Sequence, residues 1–178
     1  VERRLDDHRH RGDSAGGNLA IVTAMALRDA PAAVPVIVQA PLYPAADMSR
    51  DYPSFETFAE GYLLSRDTMR WFADAYAADP HHARTSPLAH DLAGMPPAIV
   101  MTASLDPIRD QGRAYAAGLA QAGVPVVFRE AVGTIHGFLN LRRAIPSAQG
   151  DFASFLAAVK AMVAEAEGTR VMGQAAGA

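Results

Sequence analysis

Apolar and polar positions along the chain fall into runs that alternate between helical and strand-like character. From Gly16 to about Arg28, the residues Leu19, Ala20, Val22, Thr23, Ala26 and Leu27 leave few polar positions, which predicts a buried helix. Ala30-Pro31-Ala32-Ala33 breaks it, and Val34-Pro35-Val36-Ile37-Val38-Gln39-Ala40 follows with the length and composition of a central strand. Pro41 to Leu64 mixes three prolines with Tyr43, Tyr52, Phe55, Phe58 and Tyr62, and predicts a loop packed over a site. Ser65 caps a second helix with Asp67 in its first turn, and Met69, Phe72, Ala73 and Tyr76 form its apolar stripe. Ala98 to Ala103 is a second buried strand, stopping at Ser104-Leu105-Asp106-Pro107. A helix from about Ile108 to Ala122 turns Tyr115 and Leu119 inward and ends at Gly123. Val124 to Glu130 is the last strand, and a final helix spans roughly Ala148 to Ala166 on the pattern of Phe152, Phe155, Leu156, Val159 and Val163. The tail from Gly168 to Ala178 is expected to fray. Such alternation implies an α/β fold: a mostly parallel sheet with helices on both faces and right-handed crossovers.

The stretch 1–11 does not fit this scheme. Asp7, His8, Arg9, His10 and Arg11 stand where a buried strand would enter the next turn, and burying so many charges in a sheet centre would cost many kcal/mol. Either the strand is missing there or this peptide is not authentic, and 1–11 is set apart as an atypical polar segment. Codons for His-Arg-His-Arg read one base later can spell Ile-Ala-Ile-Ala, so a shifted reading frame is one explanation. His8 and His10 lack a partner placed by any known motif, and no metal is expected.

Composition narrows the function classes. The length of 178 residues, half of them hydrophobic, is that of one globular domain. A net charge of -3 with scattered arginines offers no surface for nucleic acid. With no cysteine, disulfides, thiolate zinc sites and iron-sulfur clusters are excluded. No apolar run reaches the length of a membrane span, and the first residues lack the apolar core of a signal peptide, so a cytoplasmic location is expected.

Candidate chemistry begins at Gly12-Asp13-Ser14-Ala15-Gly16, which fits G-x-S-x-G and runs straight into a helix. A serine at the tip of a sharp turn needs neighbours without Cβ atoms, the role expected of Gly12 and Gly16. Ser14 is then the candidate nucleophile, and the amide of Ala15, in the first helical turn, points where an oxyanion would develop. Asp106 follows the end of one predicted strand, and His136 lies in the loop after another, between small or apolar residues. The C-terminal ends of strands in open α/β sheets are where catalytic groups collect. The chain order Ser, Asp, His matches a triad in which Ser14 attacks an acyl carbon, His136 moves the proton and Asp106 holds the imidazole. His81, His82 and His90 sit in a polar loop and are read as solvated.

The chain resembles the C-terminal part of the hormone-sensitive-lipase-like esterases, a family of α/β-hydrolase fold. The resemblance rests on G-D-S-A-G-G-N at Gly12 to Asn18, G-Y-L-L at Gly61 to Leu64 and S-P-L at Ser86 to Leu88. D-P-I-R-D at Asp106 to Asp110, A-G-V-P-V at Ala122 to Val126 and I-H-G-F at Ile135 to Phe138 complete it. It implies an α/β-hydrolase catalytic domain over 12–167, with Ser14, Asp106 and His136 as nucleophile, acid and base. Gly12, Asp13, Gly16, Gly17 and Asp110 would be supporting residues. It also implies carboxylic ester hydrolysis of short to medium acyl chains without a cofactor. The family's H-G-G-G loop and first strands, which precede the elbow, are absent from this sequence, so the N-terminal half of the sheet is expected to be missing. Weak or no turnover and an exposed strand edge follow, which leaves a homo-oligomer open. Two other readings compete: a serine peptidase of the prolyl oligopeptidase type, against which the G-D-S-A-G-G elbow argues, and a non-catalytic ligand-binding homologue, against which the intact Ser14, Asp106 and His136 argue.

Overall fold

In a computed structural model of the chain, which describes residues 9–176, the alternation predicted from the sequence is realised as a four-stranded sheet. The elements are β1 (Arg9–Asp13), α1 (Ala15–Asp29), β2 (Val38–Leu42), α2 (Pro53–Thr57), α3 (Arg66–Tyr76), β3 (Ala98–Leu105), α4 (Arg109–Gln121), β4 (Val126–Ile135) and α5 (Pro146–Ala176), with a 3-10 turn at Pro87–Ala89. All three strand pairs are parallel and the strands lie in chain order.

Alternation along β3 divides the core into two layers. Ala98 and Val100 pack with Ile21, Ala24 and Met25 of α1 and with Tyr115 and Leu119 of α4. Ile99, Met101 and Ala103 face the other way, onto Phe138, Ala148 and Phe155. Helices thus cover both faces, α1 and α4 on one and α5 on the other, as parallel strands buried on both sides require.

Several local expectations change. Contrary to the reading of 1–11 as missing its strand, β1 begins at Arg9 and pairs with β2 from Arg9↔Val38 to Asp13↔Leu42. Backbone pairing does not depend on side-chain polarity, and β1 has a partner on one side only among the described residues, a position that tolerates polar sequence. Residues 1–8, including the His8 considered above as a metal ligand, lie outside the described residues. β2 starts at Val38 rather than Val34, because Pro35 cannot donate to the ladder. The segment 41–64 contains α2, entered through Pro53 at its first turn. The tail expected to fray from Gly168 continues α5 to Ala176, and the Arg170 Nη2 to Glu167 Oε1 ion pair and a Thr169 hydroxyl donating to Glu165 O at 3.1 Å support that extension. The Ser65 cap forms as expected, its hydroxyl accepting from Thr68 N at 3.2 Å. Of the stripe on α3 only Met69 is buried, while Phe72 and Tyr76 are 53% and 68% exposed. Among the described residues no helix is long and apolar enough to cross a membrane.

Candidate active site

Ser14, Asp106 and His136 each occupy the first position after a strand, following β1, β3 and β4 respectively. Because those strands are parallel, their ends lie along one edge, and the three side chains meet there. His136 Nδ1 lies 2.7 Å from Asp106 Oδ2, and His136 Nε2 lies 2.8 Å from Ser14 Oγ. A carboxylate only accepts, so the Nδ1 proton donates to Asp106 and Nε2 is left to accept the Ser14 hydroxyl proton. Asp106 is fully buried, its other oxygen accepting from Ile108 N at 2.9 Å, and His136 is 7% exposed.

Local backbone geometry aims each group. Ser14 has φ 55 and ψ -121, a strained combination for a non-glycine residue that costs about 1–3 kcal/mol. It is held from both sides: Ser14 N donates to Leu42 O at 3.0 Å, and Ser14 O accepts from Asn18 N at 3.2 Å. Ala15 opens α1, so its amide is among the helix-terminal N–H groups without an intrahelical partner. His136 reaches the edge through an irregularity in β4. Ala103 pairs with Ala131 but Leu105 with Ile135, so β4 takes four steps where β3 takes two. Gly133, at φ 73, turns this bulge, and its amide donates to Ser104 Oγ at 2.8 Å.

The supporting residues divide. A Cβ on Gly12 would stand 2.0 Å from Gly16 O, so the need for glycine there is met as expected. At Gly16 a Cβ would meet nothing within 4 Å, which corrects the role assigned to it: its carbonyl is what excludes a side chain at Gly12. Gly17 is the second tight position, where a Cβ would stand 2.9 Å from Pro44 Cα. Asp13 accepts the Tyr43 hydroxyl at 3.1 Å. Asp110 does not reach Ser14 or His136. It exchanges hydrogen bonds with Ser54, accepting from Ser54 N at 3.0 Å and donating its own amide to Ser54 Oγ at 3.2 Å. Burial pushes its carboxyl up, but Arg109 at 2.8 Å and Arg113 at 3.3 Å outweigh that and hold it below its ordinary value. Glu130, gripped by the Arg113 guanidinium, is lowered in the same way. Together these groups anchor the loop that carries Asp106, since Arg109 also donates to Ser104 O at 3.2 Å.

A cavity of about 510 Å³ opens beside Ser14 and Ala15, walled by Met48, Leu64, Phe72 and Tyr76 among others. Phe72 and Tyr76 of α3 therefore form a wall of this cavity, which accounts for two apolar side chains that do not enter the core. His81, His82 and His90 are exposed, His82 Nδ1 accepting from Arg84 N at 3.1 Å. Tyr43 went unnoticed as a site residue in the sequence. It is 1% exposed, and its ring meets that of His136 edge to face, with centroids 4.9 Å apart. Burial, with the Asp13 charge adding to it, pushes its hydroxyl above the ordinary range, so it remains a donor. Its place just past the C-terminal end of a strand was the available signal.

Residues 11–140 match a family described as alpha/beta hydrolase fold. The chain is 40% identical over 139 residues to the carboxylic ester hydrolase LipN of Mycobacterium tuberculosis, covering 73% of this chain and 37% of that protein. It is 38% identical over 141 residues to an ethyl acetate hydrolase of Pseudomonas putida, covering 77% of this chain and 44% of that protein. Among solved structures, the thermostable carboxylesterase EstE1, cloned from a metagenomic library, superposes with a TM-score of 0.80 at 33% identity, covering 85% of this chain and 53% of that one. The chain thus spans less than half the length of these curated relatives.

Proposed function

The chain belongs to the α/β-hydrolase family related to hormone-sensitive lipase, and on that footing we propose that it hydrolyses carboxylic esters of short to medium acyl chain at Ser14. The observation that carries the reading is the continuous contact from Asp106 through both ring nitrogens of His136 to Ser14 Oγ, at 2.7 and 2.8 Å. The names of the relatives, an ethyl acetate hydrolase among them, support an ester as the substrate class.

In this mechanism Ser14 Oγ attacks the acyl carbon as its proton passes to His136 Nε2. Negative charge gathers on the former carbonyl oxygen, toward which the Ala15 amide and the positive end of α1 are directed. As the C–O bond breaks, His136 returns the proton to the departing alcohol, leaving an acyl-serine. Water then repeats the sequence with His136 as base, and Ser14 is regenerated. Asp106 holds the Nδ1 proton throughout and stabilises the imidazolium. The cavity beside Ser14 receives the acyl chain.

The 178 residues contain no H-G-G-G sequence, so Ala15 is the oxyanion donor proposed here. Removing one such donor slows turnover about 10²–10³-fold, and weak turnover by this chain alone is expected. Labelling by a fluorophosphonate, which needs an activated serine, tests the reading directly. Covalent modification of Ser14, abolished in Ser14→Ala and accompanied by slow hydrolysis of p-nitrophenyl butyrate, is the expected result. A folded chain that reacts at no serine, or at another one, overturns it.

A further inference from the structure

We propose that Tyr43 is a positioning residue that sets the imidazole of His136 and the strained turn of Ser14 at the same time; the inference rests on the ester-hydrolase reading for its consequence in activity. The chain leaves β2 at Leu42 and passes through Tyr43 at φ 32, a left-handed conformation that is costly for an aromatic residue. Three neighbouring interactions hold that conformation. Tyr43 N bonds to Met101 O, prolonging the pairing of β2 with β3, while Leu42 O accepts from Ser14 N at 3.0 Å and Ala45 N donates to Ser14 O at 3.4 Å. Pro44 fills the space left by the absent side chain of Gly17 in α1 and lies 3.5 Å from where a Cβ on Gly112 of α4 would stand.

So held, the Tyr43 side chain makes two contacts with the site. Its ring is packed between His136 and Phe138, at centroid distances of 4.9 and 5.3 Å, which leaves the imidazole one orientation in its socket. Its hydroxyl donates to Asp13, the residue next to Ser14, at 3.1 Å. The segment 42–45 thereby ties the loops that follow β1 and β4 to one another. Hydroxyl and imidazole must keep their alignment within a fraction of an ångström, because a displacement of about 1 Å costs on the order of a hundredfold in rate.

The test compares Tyr43→Phe, which keeps the ring and loses the bond to Asp13, with Tyr43→Leu, which loses both. Tyr115→Phe serves as control: Tyr115 is as buried, and its hydroxyl bonds Gln39 Oε1 at 2.7 Å in the opposite core layer. Fluorophosphonate labelling is expected to slow about tenfold in Tyr43→Phe and about a hundredfold in Tyr43→Leu, with no change in Tyr115→Phe. The second readout is the downfield NMR resonance of the His136 Nδ1 proton, identified by its loss in His136→Gln, which should exchange with solvent and broaden in Tyr43→Leu but not in Tyr115→Phe. Wild-type labelling rates in both Tyr43 variants, or an unaltered resonance in Tyr43→Leu, overturn the proposal. If Tyr43→Leu does not fold, the labelling rate of Tyr43→Phe decides alone. A wild-type chain that shows the resonance but takes no label would sink the hydrolase reading while leaving the positioning role standing on the NMR result.

Discussion

Replacing Gly12 by alanine separates the packing of the Ser14 turn from the bare sequence pattern. The added Cβ would stand 2.0 Å from Gly16 O and 2.3 Å from Gly16 C, about 1.5 Å inside ordinary contact. Neither atom belongs to a side chain that can swing away, so β1 and the start of α1 must move apart. Overpacking against yielding side chains costs about 1–3 kcal/mol, and against backbone the upper end of that range or more is expected. For a chain of this size that lowers Tm by roughly 6–12 °C, at about 2–4 °C per kcal/mol. Gly17→Ala, whose Cβ would stand 2.9 Å from Pro44 Cα and 3.2 Å from Leu42 O, should fall between Gly12→Ala and wild type. Gly16→Ala meets nothing within 4 Å and adds alanine at a helical position, so it should raise stability by up to about 0.5–1 kcal/mol. Thermal unfolding followed by circular dichroism orders the three, and fluorophosphonate labelling should fall about a hundredfold in Gly12→Ala and stay unchanged in Gly16→Ala. If Gly16→Ala destabilises as much as Gly12→Ala, the turn is not packed as described and the reasoning fails.

Other substitutions probe separate parts of the site. Asp106→Asn can present an amide N–H to His136 Nδ1 and favour the wrong tautomer, and labelling should slow about 10⁴-fold with little change in Tm; a loss under tenfold would contradict the role given to Asp106. Asp110 and Glu130 are held below their ordinary values of 3.8 and 4.5, so their stabilisation is complete above about pH 4.5 and is lost as pH falls through the depressed values. Urea unfolding of wild type should weaken on that acid limb, and Asp110→Asn with Glu130→Gln should flatten it. Phe72→Ala and Tyr76→Ala remove side chains that are 53% and 68% exposed, so stability should change by less than about 0.5 kcal/mol. Their effect should appear in kcat/KM, lowered roughly tenfold for a hexanoate ester relative to an acetate; equal loss on both esters would remove them from the acyl wall.

Much of the fold could be read in advance because its signals are local. Ala98 to Ala103 is apolar throughout, and a strand buried on both faces needs nothing else to be recognised. Ser14 was legible as a candidate from its G-x-S-x-G pattern, and Asp106 from its place just past the apolar run of β3, whereas the strand that runs up to Ser14 and the part of β4 that runs up to His136 emerged only in the structure. What escaped depended on contacts distant in sequence. Gly17 is tight because Pro44 arrives beside it, and Gly16 is free because nothing does, yet the motif makes the two look alike. β1 was misjudged because polar side chains were weighed against it, although its backbone pairing with β2 does not depend on them. The stripe Phe72 and Tyr76 looked like core because periodicity shows that residues share a face, not what covers it.

The same distinction predicts where function and stability part company. His136 bonds to groups 30 and 122 residues away, and no local propensity holds such partners in register. The register comes from the parallel strands, whose buried centre includes Ile99 and Val100, both 0% exposed. Truncating either residue should cost about 2–5 kcal/mol and unfold the molecule before it alters the chemistry. Positions 42–45 behave in the opposite way. Leu42 and Tyr43 are themselves buried, but the segment also bonds Ser14 N through Leu42 O and Ser14 O through Ala45 N, and the Tyr43 side chain touches Asp13 and His136. Substitutions there should slow labelling by more than their effect on Tm accounts for, and core substitutions should do the reverse. A plot of labelling rate against Tm across both sets would then split into two branches, and a single line through all variants would mean that the site has no positioning apparatus apart from the core itself.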